Sequence, residues 1–235
     1  MIQKNQKLQK SKLSQKINNF FNSDKNKIGS KERLLSLVDN FPNKFSIPIF
    51  LIAGSWGIEL ISGIKLEHDD IDVIVLQNPP YYLDDAENIE ESCFGIIPLE
   101  TNYFKNYFKN KFYYNREFYL PSFNLQICLK IIGQLQKKFP KRAVRQLKVL
   151  LESYENFNEK NSEEELNYIL KRLIPDELNY LTISKNIIFA LKKYFQGEKD
   201  FAVKEFIKIH SLINKSLRCQ FEKRGLTKKL KISEK

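Results

Sequence analysis

Two short apolar runs constrain the fold of the first half of the chain. Residues 49–54 (IFLIAG) and 71–76 (IDVIVL) are short and continuous, and proline, glycine or asparagine residues lie beside them. Such runs are typical of buried strands. Residues 56–61, which lie between them, follow a helical pattern. We therefore predict a strand, a helix and a second strand in this segment.

From residue 122 onward the pattern is helical, and a hairpin and shorter elements are predicted before that point. Residues 111–120 (KFYYNREFYL) predict a hairpin with Asn115 and Arg116 near its turn. Further elements are predicted as helices at 32–40, 83–92, 125–136, 142–154, 163–173, 184–195 and 200–217, and as a third strand at 94–99. We predict an α+β fold, a small mixed sheet flanked by helices and followed by a helical C-terminal region. The expected segments are a basic extension at 1–30 with helical spacing, a strand-bearing domain at 31–120, a helical domain at 121–222 and a basic tail at 223–235.

Composition narrows the class of protein. The 235 residues carry a net charge of +11, with lysines spread along the chain, so a solvated surface is favoured over a nucleic-acid footprint. Cys93, Cys128 and Cys219 form no CxxC pair, which argues against zinc and against a disulfide framework. The N-terminus lacks the apolar run of a signal peptide, and no apolar stretch is long enough to span a bilayer. We expect a soluble, cytoplasmic protein that does not bind membranes.

The most informative chemistry lies at the start of the second apolar run. Asp70 and Asp72 flank Ile71, and residues two apart in a strand point to the same face. Two adjacent carboxylates repel each other unless a divalent cation lies between them. Oxygen ligands of this kind suit magnesium, which takes further ligands from substrate phosphates.

Gly54 and Ser55 follow the first predicted strand and precede a helix. Glycine lets a backbone approach a ligand closely, and a serine at a helix N-terminus offers donors to phosphate. A Gly-Ser turn alone is weak evidence, and so is an Asp-x-Asp pair alone. The combination of strand, Gly-Ser, helix, Asp-x-Asp and strand is much more specific, and it predicts a nucleotide site.

This segment resembles the nucleotidyltransferase superfamily that shares the DNA polymerase beta palm. Residues 54–57 (GSWG) and 68–72 (HDDID) are similar to motifs of aminoglycoside 2''-adenylyltransferase and lincosamide nucleotidyltransferase enzymes. The similarity is dense over residues 49–76. It is fainter over 119–151, where a Pro-Ser turn precedes a helix that carries Lys130.

The resemblance implies a chemistry and a set of site residues. Asp70 and Asp72 would hold two magnesium ions, and Gly54, Ser55 and Lys130 would bind a nucleoside triphosphate, with ATP expected. The family has a third carboxylate on a later strand, and Glu100 is the nearest acid to that position. Glu117 on the hairpin is the alternative, and an ordinary surface glutamate is an equal interpretation of Glu100.

Three functions stay open. The first is transfer of a nucleoside monophosphate from the triphosphate to a hydroxyl of a small molecule, such as an aminoglycoside or lincosamide antibiotic, with release of pyrophosphate. The second is a toxin-like nucleotidyltransferase that modifies tRNA or protein, which the basic charge favours because an aminoglycoside is itself cationic. The third is a catalytically degenerate module that binds a nucleotide or a partner. The N-terminal extension and the C-terminal helices would suit a homodimer.

Overall fold

Helices dominate the part of the chain that the structure, a computed structural model, describes. It describes residues 16, 19–20, 29–41, 50–75, 81–83, 108–132, 141–154, 157–174 and 178–223. Within these residues it contains seven helices and five strands, and the strands form two small antiparallel sheets. The predicted α+β class and the helical character of the second half are confirmed.

The elements are as follows. The strands are β1 (Phe50–Ile52), β2 (Val73–Val75), β3 (Tyr81–Leu83), β4 (Phe108–Tyr113) and β5 (Arg116–Pro121). The helices are α1 (Lys31–Asn40), α2 (Gly54–Ser62), α3 (Phe123–Ile132), α4 (Lys141–Glu152), α5 (Glu159–Leu173), α6 (Tyr180–Phe195) and α7 (Lys199–Lys223).

The chain packs as two units. The first unit contains residues 1–52 and 67–119, and the second contains residues 53–66 and 120–235. Helix α2 therefore belongs to the same unit as the C-terminal helices, although it lies between β1 and β2 in the sequence. The segments predicted with boundaries at 30, 120 and 222 stay a prediction.

The sheet of the first unit has the order β1-β2-β3, with both pairs antiparallel. Ile52 pairs with Val73, and Val73 in turn pairs with Leu83. The strands are shorter than predicted. Strand β1 ends at Ile52 because the chain turns into helix α2 at Gly54, where φ is +58°. Strand β2 begins only at Val73, after a bend that contains Asp70.

The predicted hairpin is confirmed and lies mostly in the first unit. Its two-residue turn is Tyr114–Asn115, with φ of +49° and +59°. Positive φ at both central residues is the geometry of a type I′ turn, whose twist suits the two flanking strands. Arg116 makes a two-pronged ion pair with Asp39 of α1, with Nε to Oδ1 and Nη2 to Oδ2 both at 2.7 Å. This pair fastens the hairpin to α1.

The second unit is built on apolar helix faces. Helices α6 and α7 pack together, and Ile187, Leu191 and Phe206 on them are fully buried. Asn158 and Asn179 cap α5 and α6 by accepting a hydrogen bond from the third helical N–H. Helix α2 is buried along most of its length, and Glu59 Oε2 accepts a hydrogen bond of 2.7 Å from the backbone of Leu66.

Several predicted elements lie outside the described residues. They are most of the N-terminal extension, the helix at 83–92 beyond Leu83, the strand at 94–99, and the tail after residue 223. Among the described helices, none combines the length and the apolar character that crossing a bilayer requires. Cys128 is a buried free thiol and Cys219 an exposed one, while Cys93 is outside the described residues.

Candidate functional site

Asp70 and Asp72 lie in the segment that enters β2, the central strand of the first unit's sheet. Both side chains are half-buried, whereas Ile71 and Val73 are fully buried. The strand predicted at 71–76 begins at Val73, so Asp72 precedes it, and Asp70 lies in a bend. The predicted alternation of burial is nevertheless present.

Gly29 packs against the backbone of this segment, from His68 to Asp70. It is buried and has a φ of +71°. A Cβ atom at Gly29 would be 2.7 Å from the carbonyl carbon of Asp69, 2.8 Å from the nitrogen of Asp70 and 2.9 Å from the carbonyl oxygen of His68. These distances are too short for a real Cβ, so only glycine lets the two backbones meet here. Gly29 therefore fixes the position of the segment that carries Asp70.

Gly54 and Ser55 form the first turn of α2, in the second unit. The residue before them is Ala53, whose side chain has no acceptor for the N–H groups of that turn. Ser55 is 8% exposed and Trp56 is 4% exposed, so the turn is anchored in the core. The predicted helix after the Gly-Ser turn is confirmed, and it begins two residues earlier than expected.

Ser55 and Lys130 are brought together through Gln146 of α4. The Gln146 side-chain nitrogen, Nε2, donates to Ser55 Oγ over 2.7 Å. Lys130 Nζ donates to the Gln146 side-chain oxygen, Oε1, over 2.6 Å. Gln146 is 4% exposed and Lys130 is half-buried. Two of the predicted phosphate-binding residues therefore share one hydrogen-bonded chain through Gln146, which no sequence pattern had indicated.

The other predicted residues are less informative. Glu100 lies outside the described residues. Glu117 is exposed on β5, where it accepts a hydrogen bond of 2.7 Å from Tyr119 Oη. Within the ranges that the structure describes, no three or more histidine, cysteine, aspartate or glutamate side chains are grouped so that they could hold a metal ion.

A buried polar network lies elsewhere in the second unit, around Glu165 of α5. Ser122 Oγ donates to Glu165 Oε1, and Asn124 Nδ2 donates to Glu165 Oε2 over 2.7 Å. Tyr154 joins the network through its hydroxyl, and burial is the main cause of its raised pKa. Burial likewise raises the pKa of the Cys128 thiol. Glu165 is 6% exposed and is therefore part of the core.

The chain matches no protein-family model, no curated protein and no solved structure. The arrangement of its own residues must therefore support any functional argument. Its first unit offers two half-buried carboxylates on a backbone that a glycine supports. In its second unit, the Gln146 amide is hydrogen-bonded to the Ser55 hydroxyl, at the start of α2, and to the Lys130 ammonium group.

Proposed function

We propose that this chain is a magnesium-dependent nucleotidyltransferase with a small palm-type sheet. It would transfer a nucleoside monophosphate from a triphosphate, with ATP expected, to a hydroxyl group of a small molecule, with release of pyrophosphate. The observation that carries the proposal is the position of Asp70 and Asp72, which are half-buried and directly precede the central strand β2.

The carboxylates fit magnesium on chemical grounds. Asp70 and Asp72, which are separated by one residue, supply hard oxygen ligands. Magnesium binds to one or two carboxylates, while phosphates and water complete its shell. Asp70 and Asp72 would hold the metal, which would supply neutralisation of phosphate charge and activation of the attacking hydroxyl. Gly29 supports this role because it holds the backbone of Asp70 in place, and positioning is a major part of phosphoryl-transfer catalysis.

By the resemblance, Gly54, Ser55 and Lys130 of the second unit would bind phosphate. Ser55 and Lys130 are donors that share Gln146 as a partner. Ala53, the N-cap residue of α2, supplies no side-chain hydrogen bond, and the start of a helix favours anions. Both observations support binding of a phosphate group by this turn.

A labelling assay tests the proposal. Purified full-length protein is incubated with magnesium and with α-labelled ATP, GTP, CTP or UTP, in the presence of aminoglycosides, lincosamides, tRNA or no acceptor. We expect labelled antibiotic with the wild type and none with Asp70→Asn or Asp72→Asn. Asp69→Asn is the matched control, because it removes a neighbouring exposed carboxylate and should keep the activity. Full transfer by the Asp70 and Asp72 variants would refute the metal assignment.

A second candidate function is modification of RNA by the same chemistry. The net charge of +11 and the sequence pI of about 9.4 favour it, because cationic surfaces attract phosphate backbones and repel cationic antibiotics. Labelled tRNA without labelled antibiotic would select this function. Metal-dependent nucleotide binding without transfer to any acceptor would instead indicate the degenerate binding module.

A further inference from the structure

Gln146 connects three helices through its side-chain amide. It lies on α4, and its two hydrogen bonds reach Ser55 on α2 and Lys130 on α3. All three residues belong to the second unit. Gln146 is 4% exposed; its hydrogen bond to Ser55 is buried, and its hydrogen bond to Lys130 is partly buried.

The lysine fixes which way the amide faces. An ammonium group has three donors and no acceptor, so the atom of Gln146 that lies 2.6 Å from Lys130 Nζ must be the oxygen. The amide nitrogen consequently faces Ser55 Oγ and donates to it. Because the serine oxygen accepts from Gln146, its hydroxyl hydrogen must point to another group.

We propose that Gln146 is a positioning residue that orients the donor groups of Ser55 and Lys130 for an acceptor-only anion. The chemical class of ligand is a polyphosphate, because phosphate oxygens accept hydrogen bonds and carry the charge that an ammonium group attracts. This inference rests on the proposed function for the nature of the ligand. Gln146 sets the direction of these hydrogen bonds without touching the phosphate.

A role in positioning and a role in packing predict different results for Gln146→Glu. Glutamate has nearly the same shape, and it can accept a hydrogen bond from both Lys130 and Ser55, so the three helices stay connected. The Ser55 hydroxyl would then donate to the new carboxylate and would no longer be available to a ligand. The new negative charge would also pair with Lys130 and repel phosphate.

The test is titration of inorganic tripolyphosphate with magnesium into the full-length protein, followed by calorimetry and thermal unfolding. Tripolyphosphate carries the phosphates without a base, so the result does not depend on which nucleotide is used. We expect Gln146→Glu to weaken binding roughly 10- to 100-fold, the range expected for lost hydrogen bonds to a charged group. The unfolding midpoint should stay close to that of the wild type.

Lys148→Gln is the charge-matched control. It lowers the net charge of α4 by one unit, as Gln146→Glu does, but Lys148 is exposed and pairs with Asp200. It should leave tripolyphosphate affinity within about threefold of the wild-type value, because exposed charges are screened by salt. An equal loss with both variants would overturn the proposal, since the effect would then be one of net charge.

Other outcomes are equally decisive. Wild-type affinity in Gln146→Glu would overturn the role of Gln146 and leave the proposed function standing. No tripolyphosphate binding by the wild type would overturn both. If Gln146→Glu does not fold, the apolar Gln146→Met and Ser55→Ala are combined in a double-mutant cycle. Additive losses would overturn the coupling between these two residues, and non-additive losses would support it.

Discussion

Gly29 and Asp70 are in backbone contact, since a Cβ on Gly29 would lie 2.8 Å from the nitrogen of Asp70. Gly29 is therefore a positioning element for the proposed metal site, although 41 positions separate it from Asp70 in the sequence. No side chain can be added there unless the segment from His68 to Asp70 moves. The contact leads to the first prediction.

Gly29→Ala should weaken magnesium-dependent nucleotide binding by roughly tenfold or more, because a small displacement of a catalytic group has large effects. Gly197→Ala is the control, since Gly197 also has positive φ, of +92°, but a Cβ there would meet nothing within 4 Å. Calorimetric titration and urea unfolding of both variants make the comparison. Equal losses of binding would show that backbone strain alone, and not the contact with Asp70, causes the effect.

The ion pair between Asp39 and Arg116 should make stability depend on acidic pH. The hydrogen bond from Arg116 lowers the pKa of Asp39 below its usual value of 3.8. A lowered pKa in the folded state gives stability that is present above the unfolded-state pKa and is lost as the pH falls through the folded-state pKa. Urea midpoints of wild type and Asp39→Asn should therefore differ at neutral pH and converge as the pH falls through the lowered pKa of Asp39, below 3.8. A difference that stays constant with pH would contradict this assignment.

Glu165→Ala should destabilise the second unit by about 3 kcal/mol, because two buried donors, on Ser122 and Asn124, lose their acceptor. Glu164→Ala is the matched control on the same helix. Glu164 is exposed, so its loss should change the free energy of unfolding by about 0.5 kcal/mol or less. Chemical denaturation followed by circular dichroism measures both. Similar values for the two variants would contradict the buried network.

Phe206→Ala should cost about 3–5 kcal/mol, since Phe206 is fully buried in α7 and its removal leaves a cavity. Phe201 lies on the same helix and is 41% exposed. Phe201→Ala should therefore cost about 1 kcal/mol or less, including its edge contact with Phe189. Equal unfolding midpoints for the two variants would mean that α7 does not pack as described.

The sequence was informative where local patterns decide structure. The five C-terminal helices and the Tyr114–Asn115 hairpin follow from helical spacing and turn chemistry, and the structure contains them with small shifts at their ends. The strand predicted at 71–76 begins only at Val73, because apolar composition does not reveal where strand pairing begins.

Long-range contacts explain what was missed. Gly29 and Ser30 form an ordinary Gly-Ser dipeptide before a helix, and no neighbouring residue indicates that Gly29 contacts the backbone of Asp70. Gln146 is one polar residue in an amphipathic helix, and its partners Ser55 and Lys130 are 91 and 16 positions away. Only the packed helices bring these groups together, and no local pattern encodes that packing.

The assignment of α2 to the second unit has a consequence for how the protein is made. The ribosome completes residues 53–66 long before the helices that pack on them, and 91 positions separate Ser55 from Gln146. At typical synthesis rates this interval is roughly 5 to 20 seconds. During that time the apolar side chains of α2 have no final packing partner on the nascent chain. We infer that the second unit folds only after α4 has emerged, so a chain shortened before α4 would leave α2 exposed to aggregation or to a chaperone.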